Sequence, residues 1–236
     1  MTQLQRLTIT PTQIQNQQIT LTPEQYHYLS RVLRLQKDDR FIAMNGQGEW
    51  WLAKLLGQQA EILEPITIKT ELPISTTLII ALPKNGFDEV VRQITELGVT
   101  KIIPVISDRT LLKPSPQKID RWRRIATEAA EQSERQIVPE ILEPITFKNS
   151  FSLVTGAKYI CYARGNTPHL LNYLMPSSNK EITIATGPEG GWTEREIQEA
   201  QTAEFQTVSL GKRILTAVLA PIVALSLVAA VVESDR

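Results

Sequence analysis

From Thr76 to Leu210 the chain repeats one pattern: a short, nearly uninterrupted apolar run followed by a segment with helical signals. The runs are "TTLIIAL" (Thr76–Leu82), "KIIPVI" (Lys101–Ile106), "AKYICYA" (Ala157–Ala163), "EITIAT" (Glu181–Thr186) and "FQTVSL" (Phe205–Leu210). Helical segments are expected to begin near Gly86, Ser115, Thr167, Thr193 and Leu215. A strand with one wet face alternates apolar and polar residues, and these runs do not. They therefore predict strands buried on both faces, in a mostly parallel sheet covered by helices on both sides.

The first 70 residues read differently. "RLTI", "QQITL", "RFIAMN" and "EWWLAKLL" are short strands bounded by Pro, Gly and Asn, and Asn45-Gly46 reads as a tight hairpin turn. One helix interrupts them, "TPEQYHYLSRVLRL", with Thr22 as N-cap and Pro23 in its first position. Thr70–Ser75 is the expected boundary, giving a small β-rich domain over 1–72 and an α/β domain over 73–236.

Charge and cysteine content exclude several classes. With 25 basic and 25 acidic residues, no global field advertises a nucleic acid, so any such site must be a local patch. One cysteine, Cys161, and two histidines, His27 and His169, leave no ligand set for a structural zinc, and no metal is expected. Cys161 lies in an apolar run and reads as a buried, unreactive thiol. The opening "MTQLQRLTIT" has no apolar signal-peptide core, so the expected location is the cytoplasm.

Chemistry is concentrated in "IATGPEGGWTEREI", Ile184 to Ile197. Three glycines in five positions bring backbone close to a partner or simply allow tight packing of the turn. A phosphate loop would carry Gly-Lys-Ser/Thr, and here Glu189 replaces any cation. Thr193 as N-cap, Glu196 three residues on and a Trp192–Ile197 staple predict a helix start at once after the loop. A second loop, "SLGKRIL" (Ser209–Leu215), follows the next run, and two glycine loops at strand ends make a walled cleft where open α/β sheets bind ligands. Neither supplies a dinucleotide fingerprint. S-adenosylmethionine fits the cleft better, because its adenine can meet backbone groups and its cationic sulfonium and amino group tolerate Glu189.

"ATGPEGGWTEREI" and "SLGKRIL…APIVALS" resemble the RsmE-type ribosomal RNA methyltransferases of the SPOUT superfamily, as do "VVRQITELGVTKIIPVISDRT", "RWRRIATEAAEQSERQIVPEI" and "HYLSRVLRL". The resemblance implies a PUA-like β-barrel joined to an α/β domain whose C-terminal segment threads a trefoil knot. It also implies a homodimer that uses S-adenosylmethionine to methylate N3 of a uridine in 16S ribosomal RNA, free or in the small subunit. On this basis Leu82, Gly187, Pro188, Glu189, Gly190 and Gly191 are cofactor contacts, and so are Leu210, Gly211, Ile214 and Leu215. Arg213 stabilises the uridine anion, and Glu128 and Arg135 are further catalytic candidates, placed with Gln132 on one helical stripe opposite Ile125 and Ala129. His27, Arg31 and Arg34 of the first domain, with Arg121 and Arg124 of the helix, form the expected RNA contacts. Each charged residue also has a bland reading, as a surface ion pair or a solvated face. The chain departs from the family pattern at Thr216, Val218 and Leu219, where an arginine, a glutamate and a threonine are usual. That departure motivates an alternative, a non-catalytic RNA-binding relative.

"ILTAVLAPIVALSLVAAVV", Ile214 to Val232, is uncharged and reaches the rough 18-residue length of a membrane span. Pro221 and the lack of Trp or Tyr anchors argue against an anchor. The expected state is a soluble homodimer with this helix, apolar on all sides, at its centre.

Overall fold

The computed structural model describes residues 4–110, 113–175 and 179–234. The chain divides into two compact units, one running to Glu71 and including Ala130–Val138, the other comprising Leu72–Ala129 and Pro139 onward. The return of 130–138 to the first unit is not visible in a linear reading.

The first unit is a six-stranded sheet of β1 (Arg6–Thr8), β2 (Ile14–Gln15), β3 (Gln18–Thr20), β4 (Arg40–Met44), β5 (Trp50–Leu55) and β6 (Gln59–Ile66), in the order β1-β4-β5-β6-β3-β2. Its core is Leu7, Ile9, Ile19, Leu29, Phe41, Ala43, Ala53 and Leu55. α1 (Pro23–His27) starts at Thr22, whose hydroxyl accepts the Gln25 amide at 3.2 Å, and it continues as a π-helical turn over Tyr28–Val32. Asn45-Gly46 open the turn of an antiparallel hairpin, as expected. β4 and β5 are joined by five residues, with Asn45 Oδ1 accepting the amides of Gln47 and Glu49. This loop leaves backbone groups for the returning segment: Gly48 N–H donates to Gln136 O, and Val138 N–H donates to Gly46 O.

The second unit holds β7 (Ser75–Ala81), β8 (Lys101–Ile106), β9 (Glu140–Ile141), β10 (Ile145–Thr146), β11 (Ala157–Cys161), β12 (Glu181–Thr186) and β13 (Gln206–Val208). Strand order is β10-β8-β7-β12-β11-β13, with β9 also on β8, and every pair is parallel. Ile79, Ala81, Ile103, Val105, Ile160 and Ala185 share a core with Trp192, Ile197, Ala200 and Phe205. The alternate residues Leu78, Ile80, Ile102, Ile182 and Ile184 are buried too, so both faces are covered, as the apolar runs require. The helices are α2 (Phe87–Glu96), α3 (Pro116–Gln132), α4 (Leu171–Leu174), α5 (Glu194–Thr202) and α6 (Leu219–Ser234). α6 packs on α2, α4 and β12 through Pro221, Ala224, Leu225, Val228 and Ala229. Its opposite face, including Val223 and Leu227, is half-buried, and Leu219 is 43% exposed. No helix among the described residues is long and apolar enough to cross a membrane.

Candidate active site

A cavity of about 450 Å³ opens at the C-terminal ends of β11, β12 and β13. That is where a parallel sheet offers loops and helix starts to a ligand. Three chain segments wall it: Cys161–Arg164 after β11, Gly187–Trp192 with Glu194 after β12, and Leu210–Ala217 with Ala220, Lys212 excepted, after β13. Arg109, from the loop after β8, completes the lining.

The β12 loop is held on every side. Thr193 Oγ1 accepts the Glu196 amide at 3.3 Å, and Glu196 Oε2 accepts the Thr193 amide at 2.8 Å, so the expected capping box forms. Trp192 stacks on Phe147 with ring centroids 4.2 Å apart and shares its core with Ile197. The buried Glu196 carboxylate also accepts the Asp108 amide at 2.9 Å. Asp108 in turn accepts from Thr193 Oγ1 at 2.9 Å and from Arg195 at 2.6 Å. These two hydrogen bonds, the Arg195 one foremost, hold the Asp108 carboxyl below its ordinary range. Glu189 is committed as well, its Oε1 accepting the Lys84 amide at 2.8 Å. Arg109 Nη1 donates to Gly190 O at 2.6 Å.

Each glycine has its own reason. Gly191 has φ +69°, Gly211 has φ +118°, and a Cβ on either would meet nothing within 4 Å, so backbone conformation alone demands glycine there. At Gly187 the neighbour decides, since a Cβ would lie 3.1 Å from Trp192 Nε1.

Of the ten expected cofactor contacts, nine line the cavity: Gly187, Pro188, Glu189, Gly190, Gly191, Leu210, Gly211, Ile214 and Leu215. Leu82 is fully buried and is not among the lining residues. Arg213 lines the cavity, exposed and with no ion pair among the described residues. Glu128 is exposed, 3.8 Å from Arg124, and does not line it. The stripe of Glu128, Gln132 and Arg135 is not one helical face, because α3 ends at Gln132 and Glu134 turns the chain with φ +61°. Arg135 instead lies in the first unit, 3% exposed, donating to Glu71 Oε2 from Nε at 3.1 Å and from Nη2 at 2.6 Å. His27, Arg31 and Arg34 are exposed without ion pairs among the described residues, whereas Arg121 binds Asp88 at 2.8 Å.

Two parts of the site carry no motif in the sequence, the third wall and the Arg109–Gly190 hydrogen bond. Arg164 follows an apolar run with no motif to mark it. Asp108 and Arg109 carry a signal only in their position at a strand end beside the glycine loop. Cys161 lines the cavity and is half-buried rather than buried, yet desolvation still pushes its thiol up to about 12, which fits an unreactive group. No group of three His, Cys, Asp or Glu side chains is placed for a metal among the described residues. Thr216 lines the cavity, and Val218 Cγ2 lies 3.0 Å from where a Gly86 Cβ would sit, so the apolar replacement packs against the start of α2.

Comparison with known proteins gives first the class. Residues 70–229 match the RNA methyltransferase domain family and residues 21–62 the RNA methyltransferase PUA domain family. The chain is 50% identical to ribosomal RNA small subunit methyltransferase E of Synechocystis over 97% of its length and 78% of that protein's. It is 28% identical to the Bacillus subtilis protein of that name, covering 88% of each. The structure of the Neisseria gonorrhoeae protein of the same name, bound to S-adenosyl methionine, is similar with TM-score 0.86 and 33% identity, covering 95% of this chain and 96% of that one. The chain belongs to the ribosomal RNA small subunit methyltransferase E family, with a PUA-type first unit and a parallel-sheet methyltransferase unit.

Proposed function

We propose that the cavity after β11, β12 and β13 binds S-adenosylmethionine, and that the protein, working in the cytoplasm, methylates N3 of a uridine in 16S ribosomal RNA. The observation that carries this reading is a ligand-sized cavity at parallel strand ends, bounded by two glycine loops and carrying carboxylates but no phosphate-binding motif. Its lining suits the group: Leu210, Ile214, Leu215, Ala217 and Ala220 are apolar walls, and the carboxylates of Glu189 and Glu194 stand beside three arginines, matching a ligand that carries charges of both signs. When bound, the cofactor would supply a methyl group for N3, the N3 proton passing to solvent and the sulfonium being left as a neutral thioether. The chain's own part is to orient and to stabilise charge. Arg213 offers a fork of N–H donors to the oxygens flanking N3, which gain negative charge as that proton leaves. Glu128 and Arg135 stay outside this scheme.

His27, Arg31 and Arg34 are free to hold phosphates, and Arg124 adds a weaker contact. The same reading includes a threaded C-terminal segment and a homodimer formed through Leu219, Val223 and Leu227 of α6.

Titration with S-adenosylhomocysteine tests the site, and nucleoside mass analysis of small subunits treated with the protein and cofactor tests the product. Cofactor binding without 3-methyluridine would favour the non-catalytic alternative. Arg213→Ala should lower the single-turnover rate roughly 10²- to 10³-fold, as for loss of one charge-stabilising donor, and change cofactor affinity much less. A loss confined to cofactor affinity would move Arg213 from the uridine to the cofactor.

A further inference from the structure

We propose that Arg109 is a positioning residue that clamps the glycine loop in its binding form, an inference that rests on the cavity being the cofactor site. Three arginines line that cavity, and their partners differ. Arg164 and Arg213 have no hydrogen bond or ion pair among the described residues, which leaves them open to an incoming anion. Arg109 is already engaged: its Nη1 donates to Gly190 O at 2.6 Å, across 81 positions of sequence.

Its stem is engaged too. A Cβ on Gly190 would lie 3.1 Å from Arg109 Cδ and 3.3 Å from Arg109 Cβ. Gly190 has no positive φ, so its backbone would accept a side chain; the crowding comes from Arg109. Glycine at 190 therefore answers to the arginine rather than to a turn. The residue before Arg109 holds the far end of the same loop, with Asp108 bonded to Thr193, Arg195 and Glu196. Two consecutive residues of the β8 loop thus fasten the β12 loop at its middle and at its end. Between them lie Gly190, Gly191 and Trp192, all on the cavity wall. A loop fixed beforehand loses less conformational freedom when ligand binds.

The test is a double-mutant cycle on the full chain, read by calorimetric titration with S-adenosylhomocysteine. Arg109→Met should weaken binding about tenfold, the scale of one charge-assisted hydrogen bond. Arg109→Lys should recover part of the loss. The effect should fall on the dissociation constant rather than on the single-turnover rate at saturating cofactor. Gly190→Ala should weaken binding in the wild type, and add less once Arg109 is Ala, because the closest neighbour, Cδ at 3.1 Å, is then gone and only the 109 Cβ at 3.3 Å remains. A purely scaffolding role would give additive losses matched by a lower melting temperature, and that result overturns the clamp. Gly211→Val, on the opposite wall, separates the two levels of the argument. If it abolishes binding while Arg109→Met changes nothing, the clamp is wrong and the cavity assignment stands. If neither variant alters binding, the cavity assignment falls and the clamp with it.

Discussion

The two glycine loops are built from similar parts and finished differently. Each leaves a parallel strand, carries glycine and leads toward an apolar-faced helix. The β12–α5 loop is complete within the chain, with its helix capped, its Trp192 stacked and its carboxylates paired with amides from two other loops. The β13–α6 loop is tied at its two ends, by backbone bonds of Ser209 with Pro168 and Leu170 and by Thr216, whose hydroxyl accepts the Leu219 amide. Ser209 Oγ accepts the Gly211 amide at 3.0 Å and donates to Gly211 O at 3.2 Å, while Lys212, Arg213 and Ile214 are exposed, Ile214 to 76%. The helix it leads to buries one face and leaves apolar side chains half-covered on the other. Cofactor recognition needs a wall that is rigid beforehand, and the first loop supplies it. The second loop and its helix leave surface unfilled, as the proposed substrate capture and subunit pairing require.

The sharpest break between the regions lies within α6. Ala224 is fully buried against the chain's own core, so Ala224→Arg buries an unpaired charge and should cost more than about 4 kcal/mol, enough to leave the protein unfolded. It therefore cannot report on pairing. Leu227→Arg on the half-covered face should leave the melting curve cooperative while light scattering shows the mass of a single chain. A Leu227→Arg protein that keeps the mass of a pair would remove this face from the interface.

The same contrast explains what could be read from the sequence. The parallel sheet was legible because burial on both faces leaves a local mark, the unbroken apolar run. The β12 loop was legible because a capping box is a four-residue pattern. Arg109 was not, because its bond to Gly190 joins the ends of two strands far apart in sequence. Arg135 was misplaced because nothing in "QSERQ" signals that Glu134 adopts φ +61° and ends the helical repeat. The phrase "EILEPIT" makes the point within one chain. At Glu61 it continues β6, whereas at Glu140 it breaks into β9 and β10, both paired with β8. Neighbouring strands decided its structure, and no local propensity could.

The pinning of one loop and the freedom of the other should appear in stability. Glu196→Ala strands the amides of Thr193 and Asp108, and should cost about 2–3 kcal/mol, lowering the melting temperature by roughly 4–10 °C. Ser209→Ala removes bonds local to a half-buried turn and should cost less than about 1 kcal/mol. Paired calorimetric scans decide the matter; equal shifts would mean that the second loop is as firmly built as the first.

The smallest expected effect concerns how much of the first loop's anchoring is ionic. The Asp108 carboxyl is held below its ordinary value first by the hydrogen bond from Arg195 and then by that from Thr193. For a carboxylate depressed in the folded state, the stabilisation is fully present above the unfolded value near 4 and is lost as pH falls through the lower, folded value. Asp108→Asn should thus differ from wild type most at neutral pH, and the two should converge as wild-type Asp108 takes up its proton. The gap at pH 7 should stay below about 1 kcal/mol, because the pair is exposed, and should shrink in 1 M salt. Urea midpoints across that pH range measure it. A gap that persists unchanged at low pH would show that the loop depends on the two acceptor oxygens of Asp108, one of which the amide replaces with a donor, and not on the charge they carry.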